Sequence, residues 1–268
     1  MTDHAASVEE WRAARYARLR NEVGWLTLAG LDWLREGRNR LGNDPSNDVV
    51  LPAGPAVAGT LTVDGTDAVA TGAFTLDGAP VHDLHLVDDE AGQPTLLELG
   101  PLRLCLIRRG GRLAVRTWDT EAAQRTSFEE IDHWPVDQRW RVAARFLPTP
   151  DASIQVPDVL GTLDAAPSPG EIEFEVDGTR HRLQGLESGP DGELWLVFGD
   201  ATNGVETYGG GRYLYTPPPM ADGTVEVDFN KAYNPPCVFT PYATCTLPWP
   251  ANRLPIRIEA GERTYGEH

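Results

Sequence analysis

Residues 171–198, EIEFEVDGTRHRLQGLESGPDGELWLVF, carry the clearest structural signal in the chain. Ile172, Phe174 and Val176 alternate with glutamates, so one face of an extended segment is apolar and the other charged. A period of two is that of a strand with one buried face. Asp177-Gly178 then turns the chain into 179–186, and Gly189-Pro190-Asp191-Gly192 turns it into 194–198. Asp-Gly pairs between such runs signal tight hairpins. The stretch therefore predicts an antiparallel meander.

The same punctuation recurs upstream. Short strands are predicted at 39–41, 49–51, 59–63, 69–70, 74–76, 95–99, 102–108 and 113–117, with turns at Asp64-Gly65, Asp77-Gly78 and Gly110-Gly111. Many short strands so spaced define a sandwich or a barrel. Further strands are expected at 140–146, 225–227 and 256–259. One helix precedes them all. Ser7-Val8-Glu9-Glu10 reads as a capping box, and Val8, Trp11, Leu19 and Val23 recur at roughly helical spacing, so a helix is expected over 8–21. The fold class is mainly β: one N-terminal helix, then antiparallel sandwich or barrel sheets in two β-rich halves. The expected division is a helix and apolar connector (1–36), a sandwich-like half (37–118), a connection with a proline-rich excursion (119–170), and the meander with its C-terminal loop (171–268).

Composition narrows the function. Acids outnumber bases 40 to 23, a net charge of −17, and Lys231 is the one lysine. Such a surface repels phosphate backbones and anionic lipid, so no nucleic-acid or membrane partner is expected. The N-terminus lacks a basic region followed by an apolar run, and no stretch reaches the ~20 apolar residues of a membrane span. With three cysteines, these features predict a soluble cytoplasmic protein with reduced thiols. Nothing specifies an oligomeric state.

Residues 228–262, DFNKAYNPPCVFTPYATCTLPWPANRLPIRIEAGE, break both helix and strand patterns with repeated prolines yet stay rich in aromatics and amides. A long, packed, irregular loop of this kind is a place to look for function. Asp228, Asn230, Tyr233, Asn234 and Asn252 either pin the loop to its own backbone or line a polar pocket. Asn234-Pro235-Pro236 and Leu247-Pro248 are candidate cis positions. A second constellation, Tyr208-Gly209-Gly210-Gly211-Arg212, offers turning amides and a charged fork suited to a carboxylate, phosphate or oxyanion. The alternative is a glycine-rich bulge with Arg212 paired to one of the many acids.

Metal and cofactor chemistry find no motif. Cys237 and Cys245 are separated by seven residues with no histidine nearby, so they read as small buried apolar groups. Gly-x-Ser-x-Gly, His-Glu-x-x-His and Walker signatures are absent from the sequence.

Residues 228–262, closing on Ala260-Gly261-Glu262, resemble the C-terminal signature of DUF1684, a bacterial family of unknown function. WRAARYARLRNEVGWLTLAGLDWLREGRNRLG (11–42) resembles its N-terminus, and Arg116, Asp119, Arg125, Phe128 and Trp134-Pro135 its middle segment. The resemblance brings no activity with it. LGNDPSNDVVLP (41–52) with GTLTVDG (59–65) resembles the first strands of a forkhead-associated sandwich, but the phosphothreonine-binding residues of that fold are missing, so that function is rejected.

Three readings follow. One is a small-molecule binder in which Arg212 meets an anionic ligand between Tyr208 and Tyr233, with Gly209–Gly211, Asn230, Asn234 and Asn252 around it. Another is a hydrolytic enzyme using Asp228 or Glu262 as general base. The third is an interaction module.

Overall fold

The computed structural model describes residues 3–266, which divide into two compact units: residues 17–128, and residues 3–16 together with 129–266. Helix α1 (His4–Leu19) opens the chain. It starts four residues before the expected position, because Asp3 rather than Ser7 caps it: Asp3 Oδ1 accepts from the Ala5 amide at 3.4 Å, and Ser7 N donates to Asp3 O at 3.1 Å. Ser7 lies within the first turns. The capping box is therefore a coincidence of spacing.

In the unit 17–128 the strands are β1 (Leu28–Trp33), β2 (Gly37–Gly42), β3 (Val49–Val50), β4 (Gly59–Asp64), β5 (Asp67–Gly72), β6 (Thr75–Leu76), β7 (Ala79–Pro80), β8 (Leu84–His85), β9 (Leu96–Leu99), β10 (Leu102–Arg109) and β11 (Arg112–Asp119). They form two sheets, in the orders β1-β11-β10-β9-β6-β7 and β3-β2-β4-β5-β8. Leu41, Leu61 and Ala70 from one sheet meet Leu97, Leu104 and Val115 from the other in a single apolar core, as strand alternation dictates. Each fully buried leucine contributes about 1.5–3 kcal/mol relative to exposure. The predicted strands are all present; β1 lies in the stretch read from sequence only as an apolar connector. A short helix, α2 (Ala123–Ser127), follows β11.

The other unit carries a six-stranded antiparallel sheet. Its strands are β12 (Arg141–Pro148), β15 (Gly170–Val176), β16 (Thr179–Ser188), β17 (Glu193–Phe198), β18 (Arg212–Thr216) and β19 (Thr224–Asp228), in the order β18-β17-β16-β15-β12-β19. The meander 171–198 supplies three consecutive members. The sheet curls into a half-barrel, and an isolated bridge, Tyr213 to Tyr233, links its first edge to the segment just past its last. Phe229 fills the concave side, with ring centroids 5.4 Å from Phe174, 5.6 Å from Phe198 and 6.2 Å from Trp140. Leu254, Ile258 and Ala260 close the core.

Three local expectations change. The proline-rich excursion contains a hairpin, β13 (Ser153–Pro157) with β14 (Leu163–Pro167), whose prolines sit at strand ends where a missing donor does little harm. Residues 256–259 are not a strand. No peptide bond among the described residues is cis. No helix among them is long and apolar enough to cross a membrane.

Candidate functional site

The glycine run ends on Gly211, whose φ of +89° belongs to glycine. A Cβ there would sit 2.7 Å from the Phe198 carbonyl oxygen and 2.8 Å from Pro248 Cγ, so no larger residue fits. This tight passage delivers Arg212 into the half-barrel, where it is fully buried. Its Nη2 donates to Asp200 Oδ2 at 2.6 Å and to Ile258 O at 2.8 Å; its Nη1 donates to Ala260 O and, at 3.4 Å, to Glu262 O. Trp134 and Phe198 lie over the guanidinium, with centroids 5.5 and 5.4 Å away. Burial pulls the Arg212 pKa down, and Asp200 opposes that fall. The arginine read from sequence as a fork for an external anion is turned inward and engaged there. It also explains the missing last strand, since a side chain takes the carbonyls of Ile258 and Ala260 that a neighbouring strand would otherwise use.

Glu262 is equally committed. Its carboxylate accepts from Arg15 Nε and, at 3.0 Å, from Arg15 Nη2, and Oε2 also accepts from the Asn234 amide at 2.7 Å. Gly261 before it has φ +77°, and a Cβ there would fall 2.4 Å from the Ala232 carbonyl oxygen. Asp228 is held by His4 Nε2 at 2.9 Å and by the Asn230 side-chain amide at 2.9 Å, with Lys231 Nζ 3.9 Å away. Both candidate general bases therefore have their oxygens occupied by protein donors.

The asparagines behave as extra backbone. Asn230 exchanges two hydrogen bonds with the Asp137 main chain, its Oδ1 accepting at 2.9 Å and its Nδ2 donating at 3.0 Å. Asn252 accepts from Gln184 N at 2.8 Å and donates to Gln184 O and Val197 O, tying β16 to β17. Asn234 donates to Arg263 O at 2.6 Å. All three are buried.

The convex side of β17 and β18 differs in character. Trp195, Tyr213 and Tyr215 share one face by alternation, and Tyr233 and Trp11 extend it. Tyr215 lies at small interplanar angles to both Trp195 (21°, centroids 6.4 Å) and Tyr233 (18°, 6.0 Å), yet remains 50% exposed. Tyr208 is half-buried and close enough to Tyr213 to disfavour its phenolate. Gly209 is exposed and Gly210 half-buried beside it. Burial raises the pKa of Tyr213 and Tyr233, the second with help from Tyr215, so both stay neutral phenols at ordinary pH. Arg15 lies 4.6 Å from the Tyr233 centroid and is already neutralised by Glu262. This shelf can hold a ring. It presents no activated nucleophile.

Cys237 and Cys245 form a disulfide, with Cα atoms 6.2 Å apart, in place of the reduced pair expected from the sequence. Closing so small a loop stabilises by about 2–3 kcal/mol. A urea titration with and without reductant is expected to show that loss as a lower midpoint. A surface depression of about 290 Å³ in the same unit is lined by Gln138, Arg141, Met220 and Glu226 among others, and includes neither Asp228 nor Glu262. No group of three or more His, Cys, Asp or Glu among the described residues could hold a metal ion.

A half-barrel braced from within by buried ion pairs, with an aromatic shelf outside, is the class of structure defined here. The chain belongs to DUF1684, described as a protein of unknown function, whose family model matches residues 126–263, covering most of this unit. Among solved structures it is similar to the solution NMR structure of an uncharacterized protein from Haloarcula marismortui, at 28% identity over 54% of this chain and 82% of that one, with a TM-score of 0.45. No curated protein matches it. Nothing in the sequence marks Trp195 and Tyr215 as site residues beyond the alternation that places them with Tyr213 on one face.

Proposed function

We propose that the C-terminal unit binds a small, ring-bearing molecule on the shelf formed by Trp195, Tyr215 and Tyr233, with Tyr208 and the amides of Gly209 and Gly210 at its margin. The observation that carries this reading is Tyr215, an aromatic left half in water between two rings lying nearly parallel to it. Ordered aromatic faces of this sort take up the C–H face of a sugar or a planar heterocycle. Arg212, Asn230, Asn234 and Asn252 support the shelf from behind rather than touching the ligand. Because Arg212 and Arg15 already have carboxylate partners, a neutral ring suits the shelf better than an anion.

A thermal-shift screen of mono- and disaccharides and nucleosides tests this. Tyr215→Ala is expected to keep the wild-type melting point within a few degrees, since exposed substitutions change stability by about ±0.5 kcal/mol. It should abolish whatever shift the wild type shows. Equal responses from the two proteins, or none from the wild type, would sink the proposal. One observation favours an interaction module instead: the β13–β14 hairpin exposes Val159, Leu160 and Leu163 at its tip.

A further inference from the structure

A different observation, in the unit 17–128, concerns Arg116. It sits on β11 opposite Leu31 of β1 and Cys105 of β10, on the face of the sheet away from the main core. It is only 8% exposed. Its guanidinium carbon lies 5.6 Å from the Trp25 ring centroid and 6.0 Å from that of Trp118. Among the described residues it has no hydrogen-bond or ion-pair partner, and its Nε is buried without one. Other buried arginines have carboxylate partners: Arg212 pairs with Asp200, although its Nε too is buried without an acceptor, and Arg15 pairs with Glu262.

An unpaired buried cation costs several kcal/mol, and a protein normally avoids that by supplying a counter-charge. The near groups do not supply one here. Burial pushes the Cys105 thiol up to about 12, so it stays neutral. Asp89 is occupied by Arg109, with Nη2 to Oδ2 at 2.7 Å, and Arg109 itself adds repulsion. What remains is a planar donor fork beside two indoles, its Nε buried and without an acceptor.

We propose that Arg116 is the anchor of a second ligand site, one that takes the carboxylate of a small organic acid while Trp25 and Trp118 pack against its apolar body. The guanidinium fork matches a carboxylate in two parallel hydrogen bonds. The indoles favour an acid with an apolar body over an inorganic oxyanion. A net charge of −17 penalises each added negative charge, which favours a monoanion over phosphate or sulfate. This site is independent of the aromatic shelf in the other unit, and either can fail alone.

The test uses the full chain with benzoate as probe, read by intrinsic tryptophan fluorescence and by melting temperature. Benzyl alcohol serves as its uncharged analogue and sulfate as the inorganic anion. Benzoate is expected to titrate saturably and to raise the melting point, while the other two do neither. Arg116→Met, which keeps length and apolar packing, should lose the benzoate response and melt no lower than wild type without ligand, because a buried uncompensated charge has gone. Arg116→Lys keeps the charge without the fork and should bind roughly tenfold more weakly, the equivalent of one charge-assisted hydrogen bond. Should Arg116→Met fail to fold, the wild-type contrast between benzoate and benzyl alcohol still decides. No saturable response at millimolar benzoate, an equal response to benzyl alcohol, a response to sulfate alone, or benzoate binding retained by Arg116→Met would each overturn the proposal.

Discussion

Arg212→Ala is expected to lose about 3–5 kcal/mol of stability, the usual cost of breaking a fully buried ion pair from one side. Asp200 would be left as a buried carboxylate with Thr202 for company, and the carbonyls of Ile258 and Ala260 would lose their donor. Against the 5–15 kcal/mol that holds a typical domain together, this is a large share. The variant should show a much lower urea midpoint or accumulate as insoluble protein. Adding Asp200→Leu should recover part of the loss, because the stranded charge is removed while the carbonyls stay unpaired. An Arg212→Ala midpoint matching the wild type would show that the pair does not brace the half-barrel.

Phe229→Ala should be comparably severe. Phe229 is fully buried at the point where Phe174, Phe198 and Trp140 converge. Removing the ring empties the middle of the concave face, and such truncations cost about 3–5 kcal/mol through lost transfer energy and the cavity left behind. Phe229→Leu fills most of that volume and should retain a clear fraction of the stability. Equilibrium unfolding of both variants, followed by near-ultraviolet circular dichroism, separates the two. Equal midpoints for Ala and Leu would mean that the ring is not what the core is packed around.

What was legible in the sequence were the features whose cause is local. Asp177-Gly178 and Gly110-Gly111 mark their hairpins because the turn conformation is written in two residues. The alternation of Ile172, Phe174 and Val176 gives the buried face of β15 because side-chain period follows backbone geometry. The helix is legible, but its start is not: both Asp3 and Ser7 can cap, and only the observed bonding of Asp3 separates them. Arg212 shows where this kind of reading stops. Its partners are Asp200, twelve residues back, and carbonyls 46–50 residues ahead, so nothing near it in sequence says that it points inward. The same limit applies to Glu262 and Asp228, whose carboxylates are taken up by Arg15 and His4 on α1. Residues 256–259 alternate like a strand, yet alternation carries no information about whether a backbone partner exists. The disulfide is not legible, because spacing alone cannot say that a proline-laden loop brings Cys237 and Cys245 to within 6.2 Å at Cα.

The pairing of Arg15 with Glu262 spans 247 residues, and that of His4 with Asp228 spans 224. On a ribosome adding ~5–20 residues per second, the helix that carries Arg15 and His4 would wait on the order of 10–50 s for its counterparts to be made. Residues 17–128, by contrast, have all their strand neighbours close at hand and can settle while the remainder is still being synthesised. The half-barrel is thus the last part of the molecule to close. Until it does, Arg15 is carried on the nascent chain without the acid that will bury it.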